Sequence, residues 1–180
     1  MQRNDEIQAK SLDARRKYLH LMSEAWSKRS NLLMLDLSNN IDKDSNYKSI
    51  NINQLNKIES NTVGFIKAFD SLGYAESKIQ ILNEIHRVLV PGGMFLSITP
   101  TSDNPSYLTK WDKDSFGFVT KRKFPLFGTT ARFHINLLEN FYPSNFHAQN
   151  NIPFVRAALV ALKKDENGNE LFRPHGLIEI

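Results

Sequence analysis

The stretch from Glu84 to Pro100 is the part of this sequence that most constrains the fold. Upstream of Pro91, apolar side chains recur at helical spacing, which predicts a helix over about Ala75 to Val90 with one buried face. Pro91 cannot extend that helix, and the two glycines after it can adopt the left-handed backbone of a helix C-terminus. Met94 to Ile98 is then an apolar run that predicts a strand. A helix, a glycine turn and a buried strand form half of a βαβ unit.

The remaining apolar runs are separated by polar turns and predict the other elements. Strands are predicted at residues 31–37, 49–52, 63–69, 132–137 and 154–162, and a first helix at residues 11–28. Short strands that alternate with helices favour an α/β fold with parallel strands. The pattern changes in the last two runs, which could pair antiparallel as a final hairpin-like unit.

The first helix has a recognisable start and an apolar stripe. Ser11 is a suitable N-cap residue, because its side chain can accept a hydrogen bond from the first turn. Leu12, Leu19, Met22 and Trp26 recur along one side of the helix. We expect this stripe to be a packing face against the rest of the protein.

Composition narrows the class of protein. A chain of 180 residues fits one domain, residues 1–180, and has no cysteine, which excludes disulfides and fits a cytoplasmic protein. No apolar run is long enough to span a membrane. The net charge of +4 comes from dispersed basic residues, so nucleic-acid binding is not expected. The histidines lack ligand spacing, so no metal site is predicted, and His86 is expected to face solvent.

Three segments together resemble the class I S-adenosylmethionine-dependent methyltransferases. Residues 84–95 match the family pattern E-hydrophobic-x-R-V-L-x-P-G-G-x-hydrophobic, and residues 99–116 and 131–155 are similar to two later segments of a narrower subgroup. The similarity spans about residues 31 to 163. It implies a Rossmann-like sheet, mostly parallel, that ends in an antiparallel strand pair. It also implies S-adenosylmethionine as cofactor and a small molecule or a glycan as substrate.

The family carries a glycine-rich cofactor loop after its first strand, and this chain departs from that pattern. Ligands of open α/β sheets bind outside the carboxyl ends of the strands. Asp36 matches the acidic residue of the family motif, but Ser38, Asn39 and Asn40 stand where glycines are usual, and no glycine precedes Val63. Asparagine tolerates a positive φ better than most residues, so the turn can still form. These four residues are the predicted cofactor contacts at this strand end.

The next two strand ends supply further predicted cofactor contacts. Asn51 or Asn53 occupies the position where the family places an acidic residue that binds the ribose hydroxyls, and Asp70 follows the strand at 63–69. In an alternative register, residues 33–37 are the second strand and Asp36 is the ribose ligand. The interval between Asp36 and Phe65 is short for two strands with helices between them. We therefore expect at least one lost or very short helix there, and so a shortened N-terminal half.

Catalytic residues are not identified by the sequence, although two candidates remain. Asp70 could act as a base at a strand end, and His147 matches a histidine of the family in a loop before the last strand. A histidine that bonds the loop backbone is the alternative interpretation of His147. Two functions follow. The protein is either an S-adenosylmethionine-dependent methyltransferase, or a methyltransferase-like protein without cofactor binding that serves as a binding or scaffold module and can form a homodimer.

Overall fold

A single six-stranded sheet organises the molecule. The computed structural model describes residues 19–38, 46–101, 106–120 and 128–171. The strands are β1 (Leu33–Asp36), β2 (Lys48–Ser49), β3 (Val63–Phe69), β4 (Leu89–Pro100), β5 (Phe133–Phe141) and β6 (Phe154–Ala161). The helices are α1 over residues 19–29, α2 (Lys78–Val88), α3 (Gly117–Thr120) and α4 (Asn145–Gln149), with 3-10 turns at Ile52–Lys57, Leu72–Tyr74 and Asp114–Phe116. None of the described helices is long and apolar enough to cross a membrane.

The strand order confirms the predicted fold class. The order across the sheet is β2-β1-β3-β4-β6-β5, with β2, β1, β3 and β4 parallel to one another. β6 runs antiparallel to both β4 and β5, which forms the predicted antiparallel pair. β1 pairs with β2 on one side and with β3 on the other, so the order reverses at β1. This position supports the interpretation of residues 33–36 as the first strand rather than the second.

The two faces of the sheet carry separate apolar clusters. On one face, which we call the α2 face, side chains such as Leu35, Ile66 and Phe95 pack with the buried stripe of α2. On the opposite face, the α1 face, Met34, Phe65 and other strand residues form a smaller cluster against which Leu19 of α1 packs. Alternation of side chains along each strand produces this division, because successive residues point to opposite faces.

The prediction that the apolar stripe of α1 packs against the protein is wrong for Met22 and Trp26. Met22 is 64% exposed and Trp26 is 37% exposed, whereas Ser27 is fully buried. A Cβ atom added to Gly64 of β3 would lie 2.4 Å from the Ser27 hydroxyl oxygen. Helix and sheet approach so closely at this point that only small side chains fit, so Met22 and Trp26 are turned outward while Leu19 still packs on the α1 face. The predicted cap Ser11 and Leu12 lie outside the described residues.

The boundaries around Pro91 differ from those predicted. α2 begins at Lys78, where the Ser77 hydroxyl oxygen accepts a hydrogen bond from the Gln80 N–H, and it ends at Val88. β4 starts immediately at Leu89 and includes the Pro91-Gly92-Gly93 segment, rather than starting at Met94. Gly92 has the predicted left-handed backbone, with φ of 79°. The glycines therefore bend a continuous strand instead of joining a helix to a strand.

The N-terminal half is shortened, as predicted. Only the residues 37–47 connect β1 to β2, whereas a parallel crossover usually needs a dozen or more residues with a helix. β2 has two residues instead of the predicted four, because Asn51 ends the extended segment by capping the 3-10 turn Ile52–Lys57. In the described part of the interval between Asp36 and Phe65, this 3-10 turn takes the place of a full crossover helix.

Three basic residues, His86, Arg87 and Lys163, lie close together where the C-terminus of α2 meets the end of β6. The expectation that His86 faces solvent is wrong, because its side chain is partly buried. The His86 Nε2 atom lies 2.9 Å from the Leu162 carbonyl oxygen, and the ring packs edge-on against Phe133. Burial lowers the pKa of His86 below 6.5. Burial and the nearby Arg87 charge lower the pKa of Lys163 to about 8, while its ammonium donates to the Arg87 carbonyl oxygen.

Stability should fall as the pH drops below about 6.5, in part because of His86. Since the pKa of His86 is lower in the folded protein, the unfolded chain takes up this proton first on acidification, and the folded state is disfavoured. We expect His86→Gln, whose amide can donate to the same Leu162 carbonyl, to show a weaker loss of Tm between pH 7 and pH 5 than the wild type. Equal pH slopes for the two proteins would contradict this assignment.

Candidate functional site

The end of β1 carries a buried ion pair. The Asp36 carboxylate is 1% exposed, and its Oδ1 accepts a hydrogen bond of 2.8 Å from the Ser38 N–H. Its Oδ2 lies 3.1 Å from the Lys67 ammonium of the neighbouring strand β3. That ammonium also lies 4.1 Å from the centre of the Tyr47 ring. Register explains the pair, because Asp36 and Lys67 are direct partners between β1 and β3.

The ends of β1 and β3 are joined by further hydrogen bonds. The Ser38 hydroxyl oxygen accepts from the Phe69 N–H at 3.2 Å, and the Leu37 N–H donates to the Lys67 carbonyl at 2.9 Å. The polar groups of Asp36 and Ser38 therefore bind the protein's own strand ends. Their role as cofactor contacts stays a prediction.

Asp70 lies just beyond β3 and is held by an aromatic partner. It has a left-handed backbone with φ of 54°, and its N–H donates to the Ile98 carbonyl of β4 at 2.8 Å. The Tyr107 hydroxyl donates to the Asp70 carboxylate. The Tyr107 ring lies on Gly73, where an added Cβ would come within 2.6 Å of the ring, and it packs edge-on against Tyr74. Gly73 thus permits the approach that places the phenol beside Asp70.

A cleft of about 390 Å³ opens next to this aromatic pair. It is lined by Asn51, Ile52, Asn53, Tyr74, Ser106 and Leu108. One wall is the 3-10 turn that follows β2, in which the Asn51 side-chain oxygen accepts from the Asn53 N–H at 2.9 Å. The other wall is fixed where the Leu108 N–H donates to the Gly73 carbonyl at 2.7 Å. Amides, a hydroxyl and a phenol ring suit a flat ligand that carries several hydroxyl groups.

Trp111 anchors the segment that forms this second wall. Its ring is fully buried, and the indole N–H donates to both the Leu72 carbonyl and the Thr109 hydroxyl at 2.9 Å. The following turn is closed by Asp112, whose carboxylate accepts from the N–H and the hydroxyl of Ser115 at 2.7 Å. These hydrogen bonds lower the pKa of Asp112. The segment is therefore held by the core as well as by its own turn.

His147 takes part in a local structure between β5 and β6. Its Nδ1 lies 2.7 Å from the hydroxyl of Ser144, the residue that caps α4, and its ring packs edge-on against Phe154 and Phe146. These contacts favour the structural interpretation of this histidine. Within the described ranges, no hydrogen bond links His147 to Asp70, so the two catalytic candidates do not form a pair.

The predicted site residues that the structure describes therefore lie in three places, one of which is His147 in α4. Asp36, Ser38 and Asp70 lie at the adjacent ends of β1 and β3, while Asn51 and Asn53 line the cleft. Asn39 and Asn40 lie outside the described residues. The described part of the chain contains no group of three or more potential metal-ligating side chains.

Sequence reasoning missed Lys67 as the partner of Asp36 and Tyr107 as the partner of Asp70. The sequence contains a signal for the pair of Lys67 and Asp36. A lysine inside the apolar run Val63–Phe69 is rare unless a carboxylate pairs with it, and Asp36 ends the other buried strand of this half. The position of Tyr107 depends on how the segment after β4 folds back over Gly73, and no local sequence pattern predicts that fold-back.

Comparisons with known proteins return solved methyltransferases of low sequence identity. A geranyl diphosphate methyltransferase in complex with S-adenosylmethionine is 11% identical with a TM-score of 0.46, and the match covers 76% of this chain and 62% of that one. An S-adenosylmethionine-dependent methyltransferase from Mesorhizobium loti is 16% identical with a TM-score of 0.41, over 72% of this chain and 80% of the other.

A third structure is an N-methyltransferase from Haemonchus contortus in complex with phosphomonomethylethanolamine and S-adenosylhomocysteine. It is 14% identical with a TM-score of 0.46, over 76% of this chain and 46% of that chain. No family model matches the sequence, and no curated protein matches it. The fold described above follows from this chain's own strand order and register rather than from these similarities.

Proposed function

We propose that the protein is an S-adenosylmethionine-dependent methyltransferase that acts on a small molecule or a glycan. The observation that carries the proposal is the cleft of about 390 Å³ that lies beyond the carboxyl ends of the parallel strands, with Asn51 and Asn53 on one wall and Tyr74 on the other. Its position beside the reversal of strand order at β1 is where open α/β sheets bind ligands. The motif similarity over residues 31 to 163 supports S-adenosylmethionine as the cofactor.

The residues present fit the nucleoside half of this cofactor. The Asn53 amide can bond ribose hydroxyls, and the Tyr74 ring offers a flat apolar surface for a base. When bound, the cofactor would supply an electrophilic methyl group. Orientation of an acceptor beside that group can provide much of the rate, so a full set of catalytic side chains is not required. Asp70, just beyond β3, is the proposed base for a proton of the acceptor, with Tyr107 holding its orientation.

A second candidate function is favoured by the strand end at Asp36. Both oxygens of its carboxylate are occupied, by the Ser38 N–H and by Lys67, and the glycines that usually let a cofactor approach the backbone are missing. A protein with this feature can retain the scaffold without the cofactor. It would then serve as a binding or scaffold module in the form of a homodimer. Asn39 and Asn40 stay predictions as cofactor contacts.

Calorimetric titration with S-adenosylmethionine and with S-adenosylhomocysteine tests the first function. We expect measurable heat and a raised Tm with both ligands. Asn53→Ala should weaken both affinities about 2- to 10-fold, which corresponds to the loss of one hydrogen bond. Asn167→Ala, in the exposed turn after β6, is the matched control and should leave the affinities unchanged. No heat and no thermal shift at millimolar ligand would favour the scaffold function instead.

Two broader properties are proposed together with this function. Residues 1–180 would form one domain, because a single sheet carries both apolar clusters of the described chain. A cytoplasmic location is consistent with the complete lack of cysteine. Limited proteolysis tests the first property, since a single domain should yield no stable fragment of intermediate size.

A further inference from the structure

A second cavity, of about 320 Å³, lies on the α1 face of the sheet, and none of its lining residues lines the cleft described above. Side chains of α1 and Tyr47 form its walls. Its floor is apolar and includes Phe69, Leu96, Ile98 and Ala158. The lining residues come from α1, from Tyr47 and from the strands β3, β4, β5 and β6.

Strand register places a cation at each end of this floor. Lys67 pairs with Leu96, which in turn pairs with Ala158, while Arg156 pairs with Ile98. The two cations therefore lie on the same face, two strands apart, which is about 10 Å across the sheet. The side chains of Leu96 and Ile98 lie on the strand between them. A ligand on this floor would have a basic group at either end and an apolar surface under its middle.

Among the described lining residues, two side chains are cations and one is a carboxylate. Each cation is paired with a carboxylate on the side away from the floor: Lys67 with Asp36 on β1, and Arg156 with Glu139 on β5. Neither of these carboxylates is among the described lining residues, where Glu24 is the one acidic side chain. An anion on this floor would therefore meet the remaining N–H donors of two ion-paired cations, with Glu24 as the one acid among the described lining residues.

Both basic side chains are held in place before any ligand arrives. The guanidinium carbon of Arg156 lies 4.9 Å from the centre of the Phe141 ring, while one of its nitrogens donates to Glu139. Arginine has five N–H donors in a fixed plane and can serve a second acceptor without leaving the first. The Lys67 ammonium is held between the Asp36 carboxylate and the Tyr47 ring. Such preorganisation lowers the entropy cost of binding.

We propose that this cavity binds a small amphipathic anion, with a short apolar body on Leu96 and Ile98 and a carboxylate or phosphate head at Arg156. The site is separate from the cleft proposed for the cofactor, and it does not depend on whether that cleft binds S-adenosylmethionine. Its ligand would stabilise the α1 face of the sheet, because it would bind the folded protein and not the unfolded chain.

The test uses three probes with the same apolar chain: octanoate, octyl phosphate and 1-octanol. Affinity is measured by calorimetry and by the shift in Tm on the full chain. We expect both anions to raise Tm and the alcohol to have a much smaller effect. Arg156→Gln should weaken both anions by about tenfold or more, as expected when a charge-assisted hydrogen bond is lost. Lys113→Gln, an exposed lysine outside the cavity, is the control and should change nothing.

A second variant guards against a general loss of structure. Ala158→Met places a longer side chain on the floor and should weaken all three probes, while Tm without ligand confirms that each variant is folded. Whichever of octanoate and octyl phosphate binds more tightly identifies the preferred head group. Binding of 1-octanol as tight as that of octanoate would overturn the proposal, as would anion affinities that Arg156→Gln leaves unchanged or no Tm shift with any probe.

Discussion

Replacing Lys67 by methionine is expected to destabilise the protein by about 3 to 5 kcal/mol. The Asp36 carboxylate is 1% exposed and depends on the Lys67 ammonium, 3.1 Å away, for its neutralising charge. Methionine keeps the length and the apolar stem of the side chain but leaves a buried charge without a counterion. Urea unfolding of the two proteins at pH 7 measures the difference.

A double variant distinguishes the effect of the unpaired Asp36 charge from that of a general loss of packing. Asp36→Asn combined with Lys67→Met removes both charges but keeps a side-chain oxygen for the Ser38 N–H, so it should regain most of the lost stability. Lys113→Met, at an exposed position, should change the free energy of unfolding by less than about 0.5 kcal/mol. A cost below about 1 kcal/mol for Lys67→Met, as for a surface ion pair, would show that water reaches Asp36.

Truncation of Trp111 to alanine should also cost about 3 to 5 kcal/mol, because the ring is fully buried against Phe116 and its removal leaves a large cavity. The indole N–H also links two parts of the chain, through the Leu72 carbonyl and the Thr109 hydroxyl. Its loss should loosen the wall of the cleft that contains Ser106 and Leu108. We expect the affinity for any cleft ligand to fall together with the stability.

Trp111→Phe distinguishes packing from hydrogen bonding at this position. It keeps an aromatic ring but removes the N–H donor, so it should cost clearly less than the alanine variant; the lost hydrogen bond alone accounts for about 1 kcal/mol. Phe146→Ala, at a position that is 63% exposed, is the control for loss of an aromatic side chain and should be nearly neutral. Similar costs for Trp111→Phe and Trp111→Ala would contradict the assigned packing role.

The parts of the fold that the sequence predicted well are those with a strong local pattern. The stripe of α2 has a helical period that only one burial pattern satisfies, and the structure confirms the helix within three residues at each end. The continuous apolar run Phe154–Leu162 is also a strong local pattern, and it corresponds to β6. Boundaries were less well predicted around Pro91, because the strand pairs with β3 before the glycines as well as after them.

The sequence indicated Asp36 and Asp70 at strand ends but not their partners Lys67 and Tyr107. Topology places the ends of β1 and β3 side by side, so Asp36 and Asp70 could be named from the sequence. Whether a carboxylate faces a ligand or a lysine depends on register, and register is set by the whole sheet. The outward orientation of Met22 and Trp26 in α1 was missed for a related reason. The close contact between Ser27 and Gly64 joins residues 37 positions apart, and it decides which side of the helix can face the sheet.

The interior position of β6, the last strand in sequence, has a consequence for synthesis of the chain. β6 lies between β4 and β5, yet residues 101–153 must be made after β4 before β6 begins. At translation rates of about 5 to 20 residues per second, the hydrogen-bonding edge of β4 waits about 3 to 11 seconds for its partner. That edge includes Phe95 and Leu96, an aggregation-prone surface while it is unpaired. The nascent protein should therefore depend on chaperones during this interval.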